Sequence, residues 1–242
     1  VSTFDGARGQ LHAAISTLQQ RGILTRLRLA RRDQLRCPGS GSNRNLRRTI
    51  NGTTQRYVEY VEKYLTDEYS FFVDCGLTYD GAASTTITGL DHLEGEEVAV
   101  LADGSAHPNR TVESGAITLQ LAASVVNVGL PYVATIKTMP IEAGAQDGTA
   151  QGKEQRINNV VIDLYQTGAG LWYGPNLTDM DEYAVRSSSD DMDSPVPLFT
   201  GHTDLLAWPG EYEKGTQMCV QHRLPLPCTV RALLPQMHTY DR

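Results

Sequence analysis

An all-β fold is what the sequence predicts, on three observations. From residue 70 onward, runs of four to eight residues rich in β-branched and aromatic types alternate with Gly, Asn, Asp or Pro turns. The pairs Asn51-Gly52, Asp103-Gly104 and Ser114-Gly115 stand at such runs as two-residue hairpin turns, whose central residues both need positive φ. No long helix-period segment intervenes, and strands spaced this closely build small barrels or sandwiches. The expected architecture is a small β-barrel followed by a β-sandwich-like domain, after a short N-terminal segment that is helical or disordered.

That N-terminal segment, residues 1–46, is set apart by charge. Residues 1–48 carry ten arginines, no lysine and two acids, a net of +8, while residues 49–242 carry eleven basic and 26 acidic residues, a net of −15. A short helix over 10–21 follows from Leu11, Ile15 and Leu18 on one face, with Gly22 as its stop. Arg26, Arg28, Arg31, Arg32 and Arg36 form a basic run of the kind that neutralises phosphates. The run holds no aromatic residue to stack bases and ends in the turn-like Pro38-Gly39-Ser40-Gly41-Ser42, which weighs against nucleic-acid recognition.

The Asn51-Gly52 turn is followed by a strand in which Tyr57, Glu59 and Val61 alternate with Val58, Tyr60 and Glu62. Upstream of Arg47 no alternating apolar set answers Val58 and Tyr60. The hairpin therefore reads as cut off in mid-strand, with residues 1–46 either a truncated or out-of-frame remnant or a genuine basic arm. Further strands are expected over 85–88, 97–101, 116–121, 125–128, 132–138, 156–165, 169–173, 182–186, 203–207, 216–222 and 228–234. Residues 142–154 (EAGAQDGTAQGKE) have too few apolar side chains for a core of their own and read as a flexible loop and domain boundary.

Chemistry-bearing patterns are sparse. No stretch approaches the roughly 18–20 apolar residues of a membrane helix, and the start VSTFDGARGQ lacks the apolar centre of a signal peptide. Cys37, Cys75, Cys219 and Cys228 include no C-x-x-C pair and read as unpaired thiols of a reducing compartment, with a Cys219–Cys228 contact across a hairpin as the alternative. The acidic stretch 179–193, with Asp190-Asp191-Met192-Asp193, offers oxygen ligands but not the spacing of a calcium loop, so it reads as a solvated loop. Gly168-Ala169-Gly170-Leu171-Trp172-Tyr173-Gly174 follows a strand, as a dinucleotide-binding turn would. Pro175-Asn176 and a turn replace the helix that such a site needs, so a hairpin with a flexible turn is expected. The histidines are scattered and neither G-x-S-x-G nor H-E-x-x-H occurs, so no catalytic, cofactor-binding or metal-ligating residue is assigned and an enzyme is not expected.

An ordered set of fragments begins at Gly89. Gly89-Leu90-Asp91-His92-Leu93-Glu94-Gly95, Val98-Ala99-Val100-Leu101-Ala102-Asp103-Gly104 and His107-Pro108 resemble the small β-barrel likened to the first catalytic-cysteine half-domain of ubiquitin-activating enzymes. Gly115-Ala116-Ile117-Thr118-Leu119, Val128-Gly129-Leu130-Pro131-Tyr132 and Lys137-Thr138-Met139-Pro140 follow, then Gly152-Lys153, Arg156-Ile157-Asn158, Leu164-Tyr165-Gln166-Thr167-Gly168, Pro197-Leu198-Phe199-Thr200-Gly201 and Leu224-Pro225-Leu226-Pro227. Together, over roughly 47–235, they resemble the C-terminal half of tail nozzle proteins (tail tubular protein B) of short-tailed bacteriophages and related stabilisation proteins.

The resemblance implies a terminal hairpin of a β-propeller-like region over 47–83, a small barrel over 84–141, the loop 142–154 and a C-terminal β domain over 155–242. It implies a structural virion protein rather than ubiquitin chemistry. Such a protein forms a homo-hexameric ring in the phage tail, contacts tail adaptor and tail fibre proteins, and lets DNA pass without specific binding. A net of −15 over residues 49–242 agrees in sign, because fixed cations in a conduit would hold phosphates. The rival is a β-rich receptor- or carbohydrate-binding module with Trp172, Tyr173, Tyr183 and Trp208 as stacking platforms.

Overall fold

The computed structural model describes residues 43–60, 71–142, 149–150, 152–191 and 194–240. The helix expected over 10–21 and the arginine run 26–36 lie outside these residues. Among the described residues the chain is all-β, with fifteen strands, one short 3-10 turn and no α-helix. Among them, no helix is long and apolar enough to cross a membrane. The chain divides into two compact units, one of residues 1–65, 84–98 and 110–122 and the other of residues 66–83, 99–109 and 123–242.

In the first unit, β1 (Asn43–Ile50) pairs antiparallel with β2 (Thr53–Tyr60) along its whole length, from Ile50 opposite Thr53 to Asn43 opposite Tyr60. The turn is as expected, with Asn51 at φ 45° and Gly52 at φ 74°. The expectation of a strand cut off at Arg47 is corrected: Asn43, Arg44, Asn45 and Leu46 complete the ladder, so a boundary at 46/47 falls inside β1. Backbone hydrogen bonds, and not apolar alternation, carry that pairing, which is why composition alone concealed it. The Asn51 amide donates to Glu96 Oε1 at 2.6 Å, and Ile50 and Tyr57 are buried.

A 3-10 turn over Asp91–Leu93 precedes the turn at Ser114-Gly115 in the same unit, where both residues have positive φ. The Glu94 carboxylate holds that turn by accepting from the Ser114 amide (2.8 Å) and the Gly115 amide (2.7 Å). Beneath it Leu90, Leu93, Val98, Val112 and Ile117 are buried to within a few per cent of complete exclusion from solvent.

Four strands, β3 (Asp74–Thr88), β4 (Glu97–Ala102), β5 (Ser105–Thr111) and β6 (Ala116–Leu130), run from one unit into the other and pair in the order β3-β6-β4-β5. The expected runs 116–121 and 125–128 are one strand. In the second unit the Asp103 carboxylate accepts from the Ser124 and Val125 amides, at 2.7 Å for the shortest contact, beside the Asp103-Gly104 turn. Strand β5 has no counterpart among the expected strands, because Pro108 in SAHPNRT cannot donate a ladder hydrogen bond; it is an edge strand, where Pro is tolerated. Strand β3 crosses residues 83/84, so the boundary expected there also falls inside a strand.

The rest of the second unit is built on β8 (Glu154–Thr167). On one side it pairs with β15 (Val230–Tyr240) and on the other, in succession, with β11 (Phe199–His202), β12 (Leu206–Ala207) and β13 (Glu213–Lys214). A second antiparallel sheet has the order β10-β9-β14-β7, from β10 (Asp181–Tyr183), β9 (Leu171–Gly174), β14 (Cys219–His222) and β7 (Ala134–Lys137). One apolar cluster joins the sheets: Ile157, Val160, Ile162 and Leu164 from β8 with Leu171, Tyr173 and Val220 from β9 and β14, and Trp208 and Met218 from loops. This is the expected sandwich.

Three expectations change here. Strand β7, placed by sequence in the 84–141 segment, belongs to the C-terminal sandwich through β14. Strands β8 and β9 lie in different sheets, so the glycine-rich turn between them is a crossover and not a hairpin. Nor is it open: a Cβ on Gly168 would meet Leu226 at 2.9 Å and one on Gly170 would meet Leu224 at 2.6 Å. Of the loop 142–154, residues 143–148 and 151 lie outside the described residues, while its ends are tied. Glu142 accepts from the Ala150 amide (2.7 Å), and the buried Gln155 Nε2 donates to Ala150 O (2.7 Å).

Candidate functional site

The most distinctive surface is the segment 131–139 around β7. Pro131 follows β6 and Pro140 follows Met139, so the four-residue β7 is a short strand between two proline stops. Its inner edge is fully engaged with β14, in register from Ala134 opposite His222 to Lys137 opposite Cys219. Thr138 and Met218 extend the pairing, with the Thr138 amide donating to Met218 O and the Met218 amide to Thr138 Oγ1, both at 2.9 Å. Its outer edge ends the sheet among the described residues. Along this segment Tyr132 (44% exposed), Val133 (53%), Ile136 (48%) and Met139 (81%) meet solvent, with Lys137 as the one charge. Ile136 shares the inner face with Val220 while Lys137 shares the outer face with Thr135, and exposed apolar side chains at a sheet margin are of the type that marks protein contacts.

The opposite edge of the same sheet is acidic. Strand β10 reads Asp181-Glu182-Tyr183, and its two carboxylates are exposed. A row across the outer face runs Thr135, Gln221, Trp172 and Glu182 in successive strands. Gln221 Nε2 donates to Thr135 Oγ1 (3.2 Å), while Arg223 donates through Nε and Nη2 to Gln221 Oε1 and lies 4.2 Å over the Trp172 ring. That cation–π contact covers one face of the indole.

The four aromatics expected as stacking platforms are therefore not a platform. Tyr173 and Trp208 are each 6% exposed and lie in the sandwich core, ring centroids 6.0 Å apart. Burial, aided by the charge of Asp181, raises the Tyr173 hydroxyl above its usual range. Tyr183 packs edge-to-face on Phe199 at 6.1 Å. Trp172 alone faces outward, beneath Arg223.

In its described part the acidic stretch is strand β10 followed by a folded loop. Asp190 Oδ2 accepts from the Ser187 amide (2.6 Å), and Arg186 Nη2 donates to Ser194 O (2.9 Å). Asp193 lies outside the described residues. Among those described, no group of three or more His, Cys, Asp or Glu side chains is placed to hold a metal ion. Beside the loop an apolar cleft of about 440 Å³ is walled mainly by Pro195, Pro197, Leu198, Leu226 and Pro227.

The remaining titratable groups with shifted pKa values are structural. His222, 7% exposed, lies with Nε2 3.0 Å from Ala169 O, the geometry of a neutral ring donating its Nε2 proton, and burial holds its pKa below the usual histidine range. Burial raises the Cys219 thiol and pushes the Cys228 thiol up to about 11; neither is in a disulfide. Cys75 lies in β3, and Cys37 lies outside the described residues.

Sequence reasoning reads 132–138 as a strand but not as a surface. The available signal is a stretch with a single charge and a proline at each side, too short to show which edge is covered. Compared with known proteins, the chain matches no family model and no curated sequence.

Proposed function

We propose that this chain is a structural, assembling subunit of a bacteriophage tail, a nozzle-type component that lines part of the route by which DNA leaves the virion. The observation that carries the reading is the exposed apolar edge 131–139, a sheet margin suited to protein association. The kind of assembly comes from the ordered resemblance over 47–235 to tail nozzle proteins. The charge agrees: residues 49–242 carry a net of −15, and a wall that passes DNA must not offer the cations by which proteins hold it. The burial of Tyr173 and Trp208 removes half of the stacking platform on which a carbohydrate-binding reading would rest.

Two measurements on the full chain test this. Sedimentation velocity across a wide concentration range is expected to show a homo-oligomer, and electron microscopy a closed ring. Filter binding to duplex DNA at two salt concentrations is expected to show at most weak, salt-sensitive retention, lost when Arg26, Arg28, Arg31, Arg32 and Arg36 are changed to Gln. A monomer at every concentration, or tight sequence-dependent DNA binding that survives those changes, overturns the proposal.

A further inference from the structure

We infer that copies of this chain join head to tail through the two margins of one sheet, the β7 edge of one copy against the β10 edge of the next. This rests on the reading of the chain as an assembling subunit and says which surfaces meet.

The free sheet margins differ in how they are protected. Strand β15 has Pro235 in its middle and two register shifts, and β5 carries Pro108. Strand β3 contains Gly76, Gly81 and Cys75 at φ 52°. Proline, bulges and irregular backbone all discourage a further strand from pairing. Strand β7 has none of these devices within Ala134–Lys137, and apolar Tyr132, Val133, Ile136 and Met139 are exposed along it. Among the described residues, β7 and β10 are the two margins of one sheet, and neither proline nor a register shift interrupts either.

Charge and strand direction select the occupant. The β7 margin carries a single positive charge, Lys137, and the β10 margin carries Asp181 and Glu182. Lys137 and Glu182 stand on opposite margins of the sheet and on the same face, two residues apart along the strands because Thr135 shares the row of Glu182. In neighbouring copies they therefore face each other diagonally. Three successive antiparallel pairings separate β10 from β7, so the two margins run in opposite directions. A copy rotated about an axis along the strands keeps their direction and presents β10 to β7 antiparallel, at matched lengths of three and four residues. Such a contact is heterologous, so it propagates and closes into a ring when the rotation allows. Antiparallel self-pairing of two β7 margins would instead put each Lys137 opposite an Ala134, with no counter-charge, and leave every acidic margin empty.

Charge reversal in the full chain tests the pairing. K137E and E182K, each alone, are expected to weaken assembly in sedimentation velocity by about tenfold or more, as like charges meet at a partly desolvated margin. Mixing the two variants is expected to restore assembly. In alternating copies the carboxylate introduced at position 137 meets the ammonium introduced at position 182, and the unaltered Lys137 meets the unaltered Glu182. The double variant K137E/E182K is expected to assemble by itself. Circular dichroism and melting of each single variant check that it folds, and the mixture reports on pairing even if one is less stable. If the wild-type chain assembles and neither variant changes that, this interface is wrong while the assembling-subunit reading stands. If K137E alone disrupts assembly and E182K does not, the β7–β10 pairing is overturned in favour of another partner for β7. A wild-type chain that stays monomeric overturns both.

Discussion

Replacing Gly170 by Ala tests the crossover between the two sheets of the sandwich. Gly170 has φ 91°, and an added Cβ would lie 2.6 Å from Leu224 Cγ and 2.8 Å from Leu224 Cβ. Rotation about χ1 can move Cγ, but Cβ is fixed to the Leu224 backbone and cannot swing away without moving it. Two costs combine: about 1–2 kcal/mol for a Cβ at left-handed φ, and about 1–3 kcal/mol for overpacking. A total of about 3 kcal/mol lowers Tm by roughly 6–12 °C in a chain of this size. Gly152 is the internal reference, since it also has positive φ (81°) but among the described residues nothing lies within 4 Å of its would-be Cβ. Gly152→Ala should therefore carry only the backbone cost. Thermal melts of both variants, followed by circular dichroism, compare the two. Equal Tm losses, agreeing within about 2 °C, would refute the packed crossover and return 168–170 to a flexible turn.

Three further outcomes rest on named contacts. Deleting residues 1–42 should leave β1–β2 intact, whereas deleting 1–46 removes the partners of residues 57–60 and should speed their amide hydrogen exchange by about tenfold or more; equal protection in both would contradict the register. His222 has a folded pKa below its ordinary 6.5, so the unfolded chain binds the proton first. Its contribution is full above pH 6.5 and declines as pH falls toward the folded value, and His222→Gln should flatten Tm against pH in that interval. The Cys228 thiol, held up to about 11 by burial against the opposing hydrogen bond with Thr167, should alkylate ever faster well above pH 9; mass spectrometry showing a plateau by pH 9 would contradict its burial.

The candidate site is legible in the sequence only in part. The proline stops, the single lysine of 131–139 and the acids of 181–182 are plain in the chain. That these segments form opposite margins of one sheet is not, because β9 and β14 stand between them and β14 arrives from a position tens of residues away. The same applies to the aromatics: Trp172 and Tyr173 are neighbours in sequence, and only the sheet's second face tells the outward indole from the buried phenol.

By itself the sequence determined the all-β class and the places where the chain turns back. Asn51-Gly52, Asp103-Gly104 and Ser114-Gly115 take positive φ at both residues, a preference that is local and therefore written in the dipeptide. Only the tertiary structure decided which strands share a sheet. Strand β8 is evident from its residues alone, but its pairing with β15 and with the three short strands on its other side, the separation of β8 from β9, and the capture of β7 by β14 depend on residues far apart in the chain. The physical reason is that a strand's φ and ψ are local while its hydrogen-bond partners are not. A β-rich segment states that it will be extended, and the burial of Ile157, Val160, Ile162 and Leu164 against Leu171, Tyr173 and Val220 determines beside what.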